Sequence, residues 1–211
     1  MAKNIDLNTI FQSVTKQLSQ KKGELNEADT YNHDHGDHMV QIFDLIQNAV
    51  SEKSGKSAAD QLAYASEVVE EKAHSGSAAL YAQGLSTAAK NLEGKDINAD
   101  SLELLVKGLL NVGQSGAQSS QPADQGGLLG SLLSGLTGNA STNDADEGIG
   151  VDELLRAGLA FYQSKQDGDT NTEAIMDALM AASPMGQSAH RSQSGSLVAQ
   201  TIMDFASKFT N

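Results

Sequence analysis

Apolar residues recur along this chain at steps of three and four, and that period constrains the fold more than any other feature. Leu7, Phe11, Val14 and Leu18 share one helical face, as do Met39, Ile42, Phe43, Ile46 and Val50. The pattern continues through Leu62, Ala65, Val69 and Ala73, then Tyr81, Leu85, Ala88 and Leu92, then Leu102, Leu105, Val106 and Leu109. It resumes at Val151, Leu154, Leu155, Leu159 and Tyr162, at Ile175, Ala178, Leu179 and Ala182, and at Val198, Ile202, Phe205 and Phe209. These stripes predict eight amphipathic helices. Alternating runs rich in Val, Ile and Thr, the mark of a half-buried strand, are missing. Asn98 ahead of Ala99-Asp100-Ser101, and Gly150 ahead of Val151-Asp152-Glu153, read as helix starts with acidic first turns. The fold class expected is all-α, in a single domain over residues 1–211.

The stretch from Asn111 to Gly150 interrupts the period. Gly, Ser, Gln, Asn and Asp dominate it, so it reads as a flexible insertion. Within it, Leu128, Leu129, Leu132, Leu133 and Leu136 fall on one helical face. Interspersed Gly weakens such a helix by roughly 1 kcal/mol each relative to Ala. It reads either as a short helix docked on the body or as one that meets a partner, a lipid or the active site.

At 211 residues the chain can bury a full core. It has no Cys, which excludes disulfides, thiol catalysis and thiolate metal sites. With 14 Lys plus Arg against 27 Asp plus Glu, the formal net charge is −13. A duplex nucleic-acid binder needs phosphate-neutralising cations, so nucleic acid is excluded as a partner. A nucleotide held through a metal is not, because the metal carries the positive charge. The N-terminal MAKNIDLNTIFQ lacks a long apolar run, and no stretch nears the roughly 20 apolar residues of a membrane span. A cytoplasmic protein without a membrane span is expected.

Three polar stretches carry the candidate chemistry. Leu25 to Met39 reads LNEADTYNHDHGDHM and packs Asp29, Asp34 and Asp37 with His33, His35 and His38 into ten residues. Asn26 and Asn32 add neutral oxygens. The stretch lies between two helical patterns and reads as a loop leading into a helix that starts near His38. Clustered carboxylates repel, and a divalent cation relieves that. Oxygen ligands suit Mg, Mn or Ca, while imidazole adds affinity for Zn, Ni or Fe. The second stretch, His74 to Tyr81, places small residues just ahead of a helix, where backbone N–H groups can approach a phosphate. The same pattern also serves as an ordinary cap. The third, Met185 to Ser196, is a polar loop carrying His190 and Arg191, and Arg191 suits a phosphate contact.

In this order, the three stretches resemble the L subunit of bacterial dihydroxyacetone kinases, a Dak-phosphatase-type nucleotide-binding domain. Leu25-Asn26-Glu27-Ala28-Asp29 is similar to the LN-x-LD turn of that family, and Asn32 to Met39 to its GDGDHGxNM run. Ser77-Ala78-Ala79-Leu80-Tyr81-Ala82 is similar to its SGPLYG turn, Ala174 to Leu179 to its TMLDAL run, and Met185 to Ser196 to its LGERSxGHxDPGA loop. Only the Asn111 to Gly150 insertion lies outside the resemblance. The resemblance implies an eight-helix antiparallel up-down barrel and a Mg²⁺-dependent phosphotransferase that binds ADP or ATP. The acceptor, a small hydroxyl or keto compound, sits on a partner kinase subunit. By this resemblance Asp29, Asn32, Asp34 and Asp37 hold the metal, and His35 and Arg191 are catalytic. His38, Met39, Gly76, Ser77, Ala78, Leu80, Gly186 and Gly195 contact the nucleotide. A homodimer is a further candidate assembly.

The departures from the family pattern are concentrated in its motifs. Asn32 stands where the family has a carboxylate, so Asp37 replaces it or the site favours another metal. Ala78 stands for Gly, Ser188 for the arginine of GERS with Arg191 three residues on, and Ala174 for Thr. Three readings follow: an L-type phosphotransferase; a non-catalytic barrel acting as a binding or regulatory module with a repurposed His/Asp metal site; and a metal-assisted hydrolase. The last has no His pair at i, i+4 spacing to support it.

Overall fold

Helix boundaries follow from side-chain caps, and helix faces from the apolar stripes. The structure, a computed structural model, describes residues 6–111 and 178–209. Helix α1 (Leu7–Ala28) starts at Asp6, whose carboxylate accepts from the Asn8 N–H at 3.2 Å. Helix α2 spans His35–Glu52, α3 spans Ala58–Lys72 and α4 spans Gly76–Asn91. Ser57 and Ser75 cap α3 and α4 through their hydroxyls. Helix α5 (Ala99–Leu109) opens with the reciprocal Asn98–Ser101 box, at the start signal read from the sequence. A 3-10 turn over Pro184–Gln187 leads into α6 (Ala189–Phe209). The described residues contain no strand, so the all-α class holds.

The chain divides into two compact units, one of residues 1–112 and 183–211 and one of residues 113–182. In the second, the described part is a helical stretch over residues 178–181. The stripe over Val151 to Tyr162 and the Leu128 to Leu136 face lie outside the described residues.

In the first unit the helices close a ring. Each of α1 to α5 packs on the next, α5 packs on α6, and α6 returns to α1. Short connections make α1 to α5 successive antiparallel neighbours. The stripes of α1 to α5 face inward: Phe11, Val14, Leu18, Ile42, Ile46, Leu62, Leu85 and Leu105 are fully buried. At the centre Phe43 meets Phe11 at 6.3 Å and the Tyr81 ring edge-on at 5.0 Å, joining α1, α2 and α4. Full burial of side chains this large stabilises by about 1.5–3 kcal/mol each, which exceeds any helix-propensity term. None of the described helices is long and apolar enough to cross a membrane.

Helix α2 starts three residues earlier than its sequence reading near His38. The Asp34 carbonyl already accepts from the His38 N–H, so His35, Gly36 and Asp37 form a helical first turn instead of a loop. The α4–α5 seam is equally tight. A Cβ on Gly84 would strike the Leu109 backbone, and one on Gly108 would come within 2.6 Å of the Ala88 Cα. Neither obstacle is a flexible side-chain end.

Gly108→Ala is therefore expected to destabilise by about 1–3 kcal/mol through overpacking. Gly23→Ala, in the middle of α1 with open space around it, is expected to stabilise by about 0.5–1 kcal/mol. Urea midpoints of the two variants moving in opposite directions would bear this out.

Candidate functional site

The α1–α2 turn is built by one amide. The Asn26 Oδ1, on the last turn of α1, accepts from the Gly36 N–H at 2.6 Å and the Asp37 N–H at 3.3 Å. It supplies the cap that the Asp34 side chain does not make. The Asn26 Nδ2 donates back to Asp37 Oδ2 at 2.9 Å, and Lys22 Nζ meets Asp37 Oδ1 at 2.7 Å. The Lys22 hydrogen bond first, then that of Asn26, holds the Asp37 carboxyl below its ordinary value. Gly36 leaves no room for a side chain, since a Cβ there would overlap the Lys22 carbonyl. His33 turns the chain in the left-handed region at φ 57°, which His tolerates better than most residues.

Three helix N-termini meet beside this turn, those of α2, α4 and α6. His35 Nε2 lies 2.9 Å from Ser194 Oγ, tying the first turn of α2 to α6. The Ser194 hydroxyl donates to the Arg191 carbonyl at 3.1 Å, so the His35 Nε2–H is the donor to Ser194. His35 and His190 rings meet edge to face at 4.7 Å, and His190 Nδ1 lies 4.0 Å from Asp29 Oδ1. The guanidinium of Arg191 lies over Gly76 so closely that a Cβ there would come within 2.9 Å of its Nη2. Each helix N-terminus carries about half a positive charge, set here beside the Asp29, Asp34 and Asp37 carboxylates.

Ser77, Leu80, Tyr81, Met185, Arg191 and Ser194 line a narrow recess that opens to solvent. Two polar groups of its lining residues lack partners among the described residues: the buried Arg191 Nε and the hydroxyl of Tyr81, a residue only 1 % exposed. Burial pushes the Tyr81 phenol well up, so it stays protonated and can donate. Arg191 makes no ion pair among the described residues.

Burial lowers the His35 pKa, the neighbouring His190 lowers it further, and Asp29 opposes both; the result is about 4. His35 is therefore neutral at pH 7. At Asp29 burial works upward. The Tyr31 N–H (3.1 Å), the His190 ring and the backbone at Asp34 and Asn32 outweigh it and hold the carboxyl below its usual value.

Of the expected metal ligands, Asp29 faces His190, Asp34 pairs with His38 at 3.2 Å, Asp37 is taken by Lys22 and Asn26, and Asn32 is exposed. Among the described residues no three His, Asp or Glu side chains form a group able to hold a metal ion. As arranged, this donor set does not fit the Mg²⁺ pair that the resemblance implies. His35, Gly76, Ser77, Leu80 and Arg191 do come together at the helix ends. Met39 lies in the core, Ala78 is buried with its N–H bound by the Ser75 hydroxyl, Gly186 sits in the 3-10 turn and Gly195 is buried within α6. Sequence reasoning places Tyr81 in an apolar stripe and in the second polar stretch, and Ser194 in the third, but gives neither side chain a role in the site. Apolar spacing identifies a buried ring but says nothing about where its hydroxyl goes.

No protein-family model and no curated protein matches the chain.

Two outcomes follow. Asn26→Ala is expected to lower stability by about 1 kcal/mol through the lost cap. The Asp37 pKa, followed by NMR, should then rise toward its ordinary value. His35 binds its proton less readily when folded, so the unfolded chain takes up more protons between about pH 6.5 and 4. Stability should fall as pH drops through that window, with a slope of up to about 1.4 kcal/mol per pH unit. His35→Gln, which keeps a donor toward Ser194, should flatten that slope in urea titrations run from pH 7 to 4.

Proposed function

We propose that the chain is a nucleotide-binding subunit of the dihydroxyacetone kinase L type. In this reading it is an eight-helix barrel that holds the phosphoryl end of ADP or ATP at the meeting point of α2, α4 and α6. One observation carries the reading. The three stretches that resemble the family's motifs lie far apart in the chain, yet they meet at one end of the bundle. Asp29 and His35 come from the first, Gly76 and Ser77 from the second, and His190, Arg191 and Ser194 from the third. The spacing of apolar residues does not require that convergence.

The chemistry of the parts is consistent with this assignment. Arg191 presents a planar, permanently charged donor fork suited to phosphate oxygens. The α4 N-terminus adds its dipole. His35, neutral at pH 7, acts through Ser194 as a positioning residue on α6. Mg²⁺ would neutralise phosphate charge, and in this reading it arrives with the nucleotide because Asp34 and Asp37 are engaged elsewhere. The acceptor compound belongs to a partner subunit.

A second reading, binding without transfer, is favoured by the same engagement of Asp34 and Asp37. It predicts that ATP is bound and released unchanged.

The test is the melting temperature of the full chain with ADP or ATP in excess Mg²⁺. A ligand at a hundredfold excess over its dissociation constant stabilises by roughly 2.7 kcal/mol. The expected outcome is a shift of several degrees that Arg191→Ala abolishes. No shift with either nucleotide would rule out the nucleotide-binding reading.

A further inference from the structure

We infer that Arg191, with the N-terminus of α4 and the Tyr81 hydroxyl, binds a phosphoryl anion without any metal ion held by the protein. The inference rests on the phosphoryl-binding reading above and names what neutralises the charge.

The argument starts from the two places where positive charge can come from. A divalent cation needs converging oxygen or imidazole ligands. The acidic turn spends its carboxylates elsewhere: Asp37 on Lys22 and Asn26, Asp34 on His38, Asp29 on its own turn and His190. Arg191 is the opposite case, a fixed cation whose buried Nε has no acceptor. Its guanidinium lies over Gly76, the first residue of α4.

The second observation is independent of the helix end. Tyr81 is 1 % exposed, lines the recess, and its hydroxyl has no partner among the described residues. A buried hydroxyl without a partner costs free energy, and Tyr81 lines the same recess as Arg191. Two donors with no acceptor between them call for an anion with several acceptor oxygens.

The recess is narrow and opens to solvent, so the phosphoryl group would sit at its mouth, over Gly76 and Arg191. The rest of a nucleotide or phosphate ester would lie outside, toward solvent. The Asp29 carboxylate, at the same end, has its charge met by the Tyr31 N–H and His190.

Isothermal titration of the full chain with inorganic phosphate and with ADP, each in EDTA and in Mg²⁺, tests this. Both ligands are expected to bind in EDTA. Arg191→Ala should weaken them at least about tenfold, with Arg191→Lys recovering part of the loss. Gly76→Ala offers a check that does not remove the cation. Its Cβ displaces only the mobile end of Arg191, so the fold should survive while affinity drops. Tyr81→Phe should weaken binding without loss of helicity by circular dichroism. ADP binding only in Mg²⁺ would overturn the inference and leave the nucleotide reading intact. Phosphate bound in EDTA with no ADP binding would support the inference and overturn the nucleotide reading. Silence from both ligands in both buffers would overturn both.

Discussion

The backbone contact between Gly36 and the Lys22 carbonyl region of α1 is the constraint on which the candidate site depends. It brings the end of α1 against the start of α2 so closely that a glycine is required. That approach lets Asn26 reach across and cap α2 from the preceding helix. The cap sets which residue begins α2, and so sets the direction in which His35 points. From there His35 reaches Ser194 and ties the last helix to the second. One amide and one missing Cβ thus set the register of three helices.

The same clip decides the electrostatics. Asp37 satisfies Asn26 and Lys22, so it is a structural carboxylate as much as a candidate ligand. Positive charge at this end comes from helix termini and from Arg191, whose charge is permanent.

Much of the fold was legible in the residues. The stripes through Phe11, Phe43, Leu62, Leu85 and Leu105 named the buried faces because apolar burial follows the helical period directly. Asn98 was readable as a cap because its box closes within four residues. The start of α2 was not. Its cap comes from Asn26 on another helix, and a dense run of Asp and His between Asp29 and His38 looks like a loop to any local rule. The site was legible as three separate polar stretches. That Arg191 lies over Gly76, and that the Tyr81 hydroxyl is left without a partner, depends on how the ring closes. Periodicity carries no information about that closure.

Ring closure also sets when the site can exist during synthesis. Helices α1 to α5 each pack on their predecessor, so each finds its neighbour already synthesised. Arg191 and Ser194 belong to the helix that completes the ring against α1. Until that segment emerges, Gly76 has no guanidinium above it and His35 has no hydroxyl to bind. A growing chain therefore passes through lengths at which most of the ladder can form but the contacts of Arg191 with Gly76 and of Ser194 with His35 cannot.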